Sequence, residues 1–214
     1  MKPLGRIENP VRGFLHGCGA LVSLVGTVVL VARSGSGSGV LLVYGSSLVG
    51  MYSTSTLYHA VPWRPRWKSL MQRFDHSFIY FLVAATFTAL AVGVLSGPWM
   101  WSAVALLWGL AALGVLREFS GPFRRRWSLA VQVGLGAIAL APVLRLFLAM
   151  EPSVLSLTVG GGIVYLVGVA MFVRNWPRLY PAVFSHHELF HVLVIVASVA
   201  HFAAVWQLWI PPAS

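Results

Sequence analysis

The segment "SHHELFHVLVIVASVAH", Ser185 to His201, carries His187 and His191 with Glu188 between them and then turns apolar. His-Glu-x-x-His is a spacing by which one helix face presents two imidazoles to a metal ion. Followed on to Trp209, the apolar run reaches the ~20 residues that cross ~30 Å of hydrocarbon. Ionisable side chains therefore stand at the mouth of a segment that reads as a membrane-spanning helix.

The rest of the chain has the same character. Of its 214 residues, 58% are hydrophobic and only 9% charged, with a mean hydropathy of +0.81. A soluble domain carries about 25% charged residues, and a chain this apolar is read as dissolved in lipid. The expected fold is all-α and integral to the membrane: one seven-transmembrane helix bundle filling residues 1–214 as a single domain. Its spans are expected at about 14–32, 40–59, 76–95, 99–116, 129–150, 154–173 and 187–209. Gly, Pro, Ser and Arg clusters such as "RSGSGSG", "VPWRPRWK" and "RNWPRLYP" separate them. Pro142 falls inside the fifth, where a bundle tolerates a broken backbone bond.

All but Arg33 and Arg145 of the fifteen Lys and Arg residues fall in the N-terminal arm or in alternate loops. By the positive-inside rule this puts the N-terminus in the cytoplasm and the C-terminus outside. Trp63, Trp67, Trp127 and Trp176 then lie near the inner interface, and Trp99, Trp101, Trp206 and Trp209 near the outer one. Trp108 is the exception. The formal charge of +10 is confined to these short loops, so no nucleic-acid partner is expected. Cys18 is the sole cysteine, which excludes an intramolecular disulfide and a cysteine-built zinc site. The first apolar run is expected to be an uncleaved anchor.

A charge at the bilayer centre costs roughly 2.5–3.5 kcal/mol, so ionisable groups in the spans are functional candidates. The topology brings His59, Asp75, His187 and His191 to one depth on the cytoplasmic side. Four residues turn a helix through roughly 400°, so His187 and His191 share a face, as do Ser55 and His59. Three imidazoles with a fourth position left to water make a tetrahedral Zn2+ site of the open, catalytic type. Asp75 is either a direct ligand or the group that holds the water and accepts its proton. Ser55 is expected to orient an imidazole from behind. His16 can approach from the first span, and packing or a hydrogen bond is its expected role. His201 lies some ~15 Å deeper than His191, too far to join. His76 reads as interfacial, His186 as solvated, Glu118 and Glu151 as loop charges, and Gly160 to Gly162 as a close helix contact.

The set Ser55-x-x-x-His59, Asp75 and His187-x-x-x-His191 over seven spans resembles the haemolysin III branch of the PAQR family, which includes the adiponectin and progestin receptors of animals. The resemblance covers nearly the whole chain. It implies zinc held by His59, His187 and His191, a water held by Asp75, and Ser55 as a polar partner. It also implies amide hydrolysis of a lipid, because the family is grouped with alkaline ceramidases, and a link to membrane homeostasis. Bacterial relatives carry a pattern like E-x-x-x-N-x-x-[ST]-H-G before the first span. Glu8 and His16-Gly17 fit it, whereas Arg12 and Leu15 replace Asn and Ser/Thr. Eukaryotic relatives often have Gln in place of Glu188, so no essential base role is expected there.

Four functions are weighed. The first is a zinc-dependent hydrolase acting on a lipid amide or ester at the cytoplasmic leaflet of the cell membrane. The second is a receptor-like or homeostasis protein without turnover, in which zinc is structural. The third is a pore-forming haemolysin, disfavoured because the polar residues cluster at one end of the spans. An intramembrane metalloprotease comes last, since no Asp follows His191 to complete its ligand set.

Overall fold

In lipid every backbone N–H and C=O must be bonded within its own segment, so each apolar run is driven into a helix. The structure, a computed structural model, describes residues 7–35, 38–120, 140–180 and 183–210. The helices are α1 (Pro10–Arg33), α2 (Ser38–Ala60), α3 (Pro65–Val94), α4 (Gly97–Phe119), α5 (Leu140–Leu148), α6 (Pro152–Arg174) and α7 (His186–Trp209). All except α5 are long and apolar enough to cross a membrane. Much of the expected fifth span, 129–150, lies outside the described residues. This is the architecture of a multi-pass helical membrane protein.

The side-chain distribution suits a lipid solvent. Leu21, Val22, Val25 and Val28 of α1 face outward, whereas Ser47, Thr54, Ser55 and His59 of α2 are buried. Hydroxyls inside the bundle bond carbonyls of their own helix, as Thr27 does to Ser23 at 2.6 Å and Thr88 to Ala84 at 2.8 Å. Trp108 sits inside for the same reason: its indole N–H donates to the Thr88 hydroxyl at 3.1 Å.

α3 begins well before the expected start at His76. Arg64 is extended and Pro65 opens the helix, a position that tolerates the missing N–H. The added turns are polar and so invisible to a hydropathy scan. They are held by Lys68, whose ammonium donates to Glu8 at 2.9 Å and to the Tyr58 carbonyl at 2.8 Å. Arg73 likewise donates to the Glu118 carbonyl at 2.9 Å. With the backbone bonds of Glu8 and Asn9 to Ala60 and His59, both 3.0 Å, these contacts gather one end of α1, α2, α3 and α4 together. At the other end Trp209 donates to the Ala89 carbonyl at 3.0 Å, and Arg145 stacks over Trp99 at 4.2 Å. Among the described residues, Arg12, Lys68 and Arg73 thus share one end of the bundle.

Candidate metal centre

The first turn of α7 is fixed by its own sequence. Ser185 caps it, accepting from the His187 N–H at 3.2 Å. Glu188 reaches back so that one carboxylate oxygen accepts the Ser185 N–H at 2.6 Å and also bonds the Ser185 hydroxyl. This is a complete capping box. The other Glu188 oxygen accepts Arg12 Nε of α1 at 2.6 Å. Both oxygens bond structural partners, so Glu188 is positioned to hold the helix start. Across from it, the Asn9–His59 backbone bond pins the end of α2.

Held in this way, His59, His187 and His191 bring one ring nitrogen each to within 4.8 Å of one another, a group that can hold a metal ion. The ring centroids lie 5.2 Å apart for His59–His187, 4.8 Å for His59–His191 and 4.9 Å for His187–His191. A triangle of that size has a centre no more than about 2.8 Å from each nitrogen, so shifts of under ~1 Å reach the ~2.0 Å of a zinc–imidazole bond. His59 is 3% exposed and His191 2%, while His187 is half-buried. Nδ1 of His191 is buried with no hydrogen-bond partner. An unpaired buried imidazole nitrogen is costly, and a cation coordinated by that nitrogen would relieve the cost, so the donors fit.

Asp75 and Ser55 border the same cavity of about 530 Å³ as the three histidines. Ser55 lies close enough to Asp75 to interact with its carboxylate. Among the described residues no carboxylate joins the nitrogen group. Past the histidines the cavity wall is largely apolar, with Leu48, Met51, Leu82, Phe87, Leu90 and Val194.

The remaining expectations divide. His201 stays away from the cluster, with Nε2 3.1 Å from the Thr158 carbonyl. Of the three glycines, only Gly161 makes a close contact: a Cβ there would meet His201 Nε2 at 2.8 Å. His76 borders the cavity, and His186 lies 6.2 Å from the Phe172 ring. Glu118 is not a loop charge. It is 5% exposed, and Oε1 lies 3.4 Å from the donating Tyr80 hydroxyl. Its place in the last turn of α4 lets the polar start of α3 cover it.

His16 does approach the cluster from the first helix. It is 4% exposed, its ring lies 4.0 Å from that of His191 and 5.0 Å from that of Tyr52, and neither nitrogen has a hydrogen-bond partner. Of the two expected roles, packing or a hydrogen bond, packing is the one present. The spacing Arg12-x-x-x-His16 is the signal that could have found both residues, because it turns them to one face of α1.

Comparison with known proteins finds similarity over most of the chain. A family model described as "Haemolysin-III related" matches residues 5–202. The chain is 31% identical to "Hemolysin-3" of Bacillus cereus, over 97% of its own length and 94% of that protein. It is 29% identical to the "Hemolysin-3 homolog" of Bacillus subtilis (strain 168), over 92% of each. More distantly, it is 24% identical to the human "Monocyte to macrophage differentiation factor", over 77% of this chain and 68% of that one.

Proposed function

The chain belongs to the haemolysin-III-related family, and from that premise we propose that it is a zinc-dependent hydrolase of lipid amides or esters with seven spans. It works at the cytoplasmic leaflet of the cell membrane, with the N-terminus inside and the C-terminus outside, and serves membrane homeostasis. The observation that carries this reading is the set of three histidine nitrogens within 4.8 Å on a cavity whose deeper wall is apolar. His59, His187 and His191 hold the ion. Zinc in such a site supplies Lewis-acid polarisation of a carbonyl and a water acidified toward neutrality.

The protein's own groups do the rest. The Asp75 carboxylate, oriented by the Ser55 hydroxyl, accepts the proton of the attacking water. The apolar wall takes the hydrocarbon of the lipid and keeps bulk water from the scissile bond. The lipid bilayer is thus both solvent and source of substrate.

The near-complete burial of His59 and His191 supports a second reading, in which the ion is structural and the bundle is receptor-like. One experiment separates the two. Metal content and turnover on a panel of ceramide-like amides and lipid esters are measured for the wild type and His59→Ala. The hydrolase reading expects about one zinc per chain and turnover, both lost in the variant. Zinc without turnover on any substrate supports the structural role, and turnover in metal-free protein refutes both. Reporter fusions in the 61–64 and 95–96 connections test orientation, expected inside and outside respectively.

A further inference from the structure

We propose that His16 is a fourth imidazole of this centre, not a ligand, and that it donates its ring N–H to the group filling the ion's open position. The inference rests on the metal reading above and adds a residue to which that reading gives no role.

The backbone forces His16 into place. The Asn9–His59 bond sets the register of α1 against α2. About two helical turns further along each antiparallel helix stand His16 and Tyr52. Small residues let the helices close: a Cβ on Gly13 would meet that of Ala60 at 2.9 Å, and one on Gly19 would meet the Tyr52 ring at 2.8 Å. The Arg12–Glu188 ion pair, one turn before His16, draws the same face of α1 onto α7. His16 is thereby inserted against His191, with a centroid separation of 4.0 Å.

Its chemistry is unfinished there. An imidazole offers one N–H donor and one acceptor, and a buried polar group is almost always bonded. Both His16 nitrogens are buried with no partner on the protein, although an aromatic ring of the same size would pack equally well. His16 borders the cavity that His59, His187 and His191 also border. Its nitrogens stand outside the group lying within 4.8 Å, so it borders the centre without being one of the three ligands. A carbonyl oxygen or a small anion in the shared cavity is the partner its N–H lacks.

Cobalt-loaded full-length protein in detergent tests this, with azide as the probe of the open position and the visible cobalt bands as readout. His16→Phe keeps a ring against Tyr52 and His191 but removes both nitrogens, whereas His16→Gln keeps a donor. Expected are about one cobalt per chain in all three proteins, azide binding weakened about tenfold in His16→Phe, and binding near the wild-type value in His16→Gln. If His16→Phe does not fold, His16→Leu makes the same comparison. Unchanged azide affinity without the imidazole overturns the proposal. So does loss of cobalt from the Phe or Leu variant, which would make His16 a ligand. A wild type that takes up no cobalt is a different failure, that of the metal reading itself.

Discussion

Arg12 and Glu188, near the starts of the first and last helices, are joined by a 2.6 Å ion pair with side-chain exposures of 21% and 8%. The pair closes the bundle at the end that carries the histidines. Hydrogen bonds to charged groups contribute about 1.5–3 kcal/mol, and Arg12→Ala also leaves a mostly buried carboxylate without its cation. We expect Arg12→Ala to lower stability by about 1–3 kcal/mol, read as a fall in thermal midpoint of several degrees in detergent. Glu188→Gln keeps an acceptor for the cap and is expected to retain metal and turnover. If instead Glu188→Gln folds normally, keeps its metal and loses all turnover, Glu188 is a base and the protease-like reading returns.

The three consecutive glycines of α6 separate space from sequence. A Cβ at Gly161 would meet His201 Nε2 at 2.8 Å and the Ala197 carbonyl at 3.1 Å, whereas Gly160 and Gly162 have nothing within 4 Å. Overpacking costs about 1–3 kcal/mol, against a helix-propensity gain of about 1 kcal/mol for Gly to Ala. Gly161→Ala is therefore expected to destabilise, and Gly160→Ala and Gly162→Ala to be neutral or stabilising. Denaturant titration of the three variants checks this ranking. Equal effects would mean that α6 and α7 do not meet at Gly161.

Apolar runs and the Gly, Pro and Ser breaks between them carried most of the fold, because in lipid the length of an apolar run is itself the physical constraint. They placed the ends of α2, α4, α6 and α7 within a few residues. They failed at α3, whose first turns are polar and stabilised by Lys68 and Arg73 reaching to neighbouring helices. That information is tertiary. The histidine cluster was readable because four-residue spacing fixes a helix face and the topology fixes depth. Glu118 was misjudged because its burial depends on how closely α3 approaches α4, and no local pattern reports a distance between helices.

The Ser55–Asp75 pair gives a graded prediction. Removing a general base typically costs 10²–10⁴ in rate, so Asp75→Asn is expected to lose turnover by about that factor while retaining metal. Ser55→Ala leaves the carboxylate in place but free to turn, and a loss of about tenfold, one hydrogen bond's worth, is expected. Metal content measured alongside kcat decides the matter. If Asp75→Asn loses its metal in step with activity, Asp75 is a ligand and the shared cavity has a second coordination geometry.

Metal binding should be visible as stability as well as chemistry. An ion bound only by the folded chain stabilises it by mass action, and a site drawn from α2 and α7 cannot persist once those helices separate. Chelation is therefore expected to lower the thermal midpoint of the wild type, and zinc to restore it. His191→Ala is expected to begin at the low midpoint and ignore both treatments. His201→Ala is the control, because His201 bonds the Thr158 carbonyl and stands apart from the metal group: its midpoint should still respond to zinc. Acid should mimic the chelator. Zinc takes neutral imidazoles and protons compete for the same nitrogens, so the zinc-dependent increment is full at neutral to mildly alkaline pH and is lost as pH falls. Differential scanning across pH with and without zinc reads the increment directly. An increment that persists in His191→Ala, or that vanishes in His201→Ala, would place the ion somewhere other than among His59, His187 and His191.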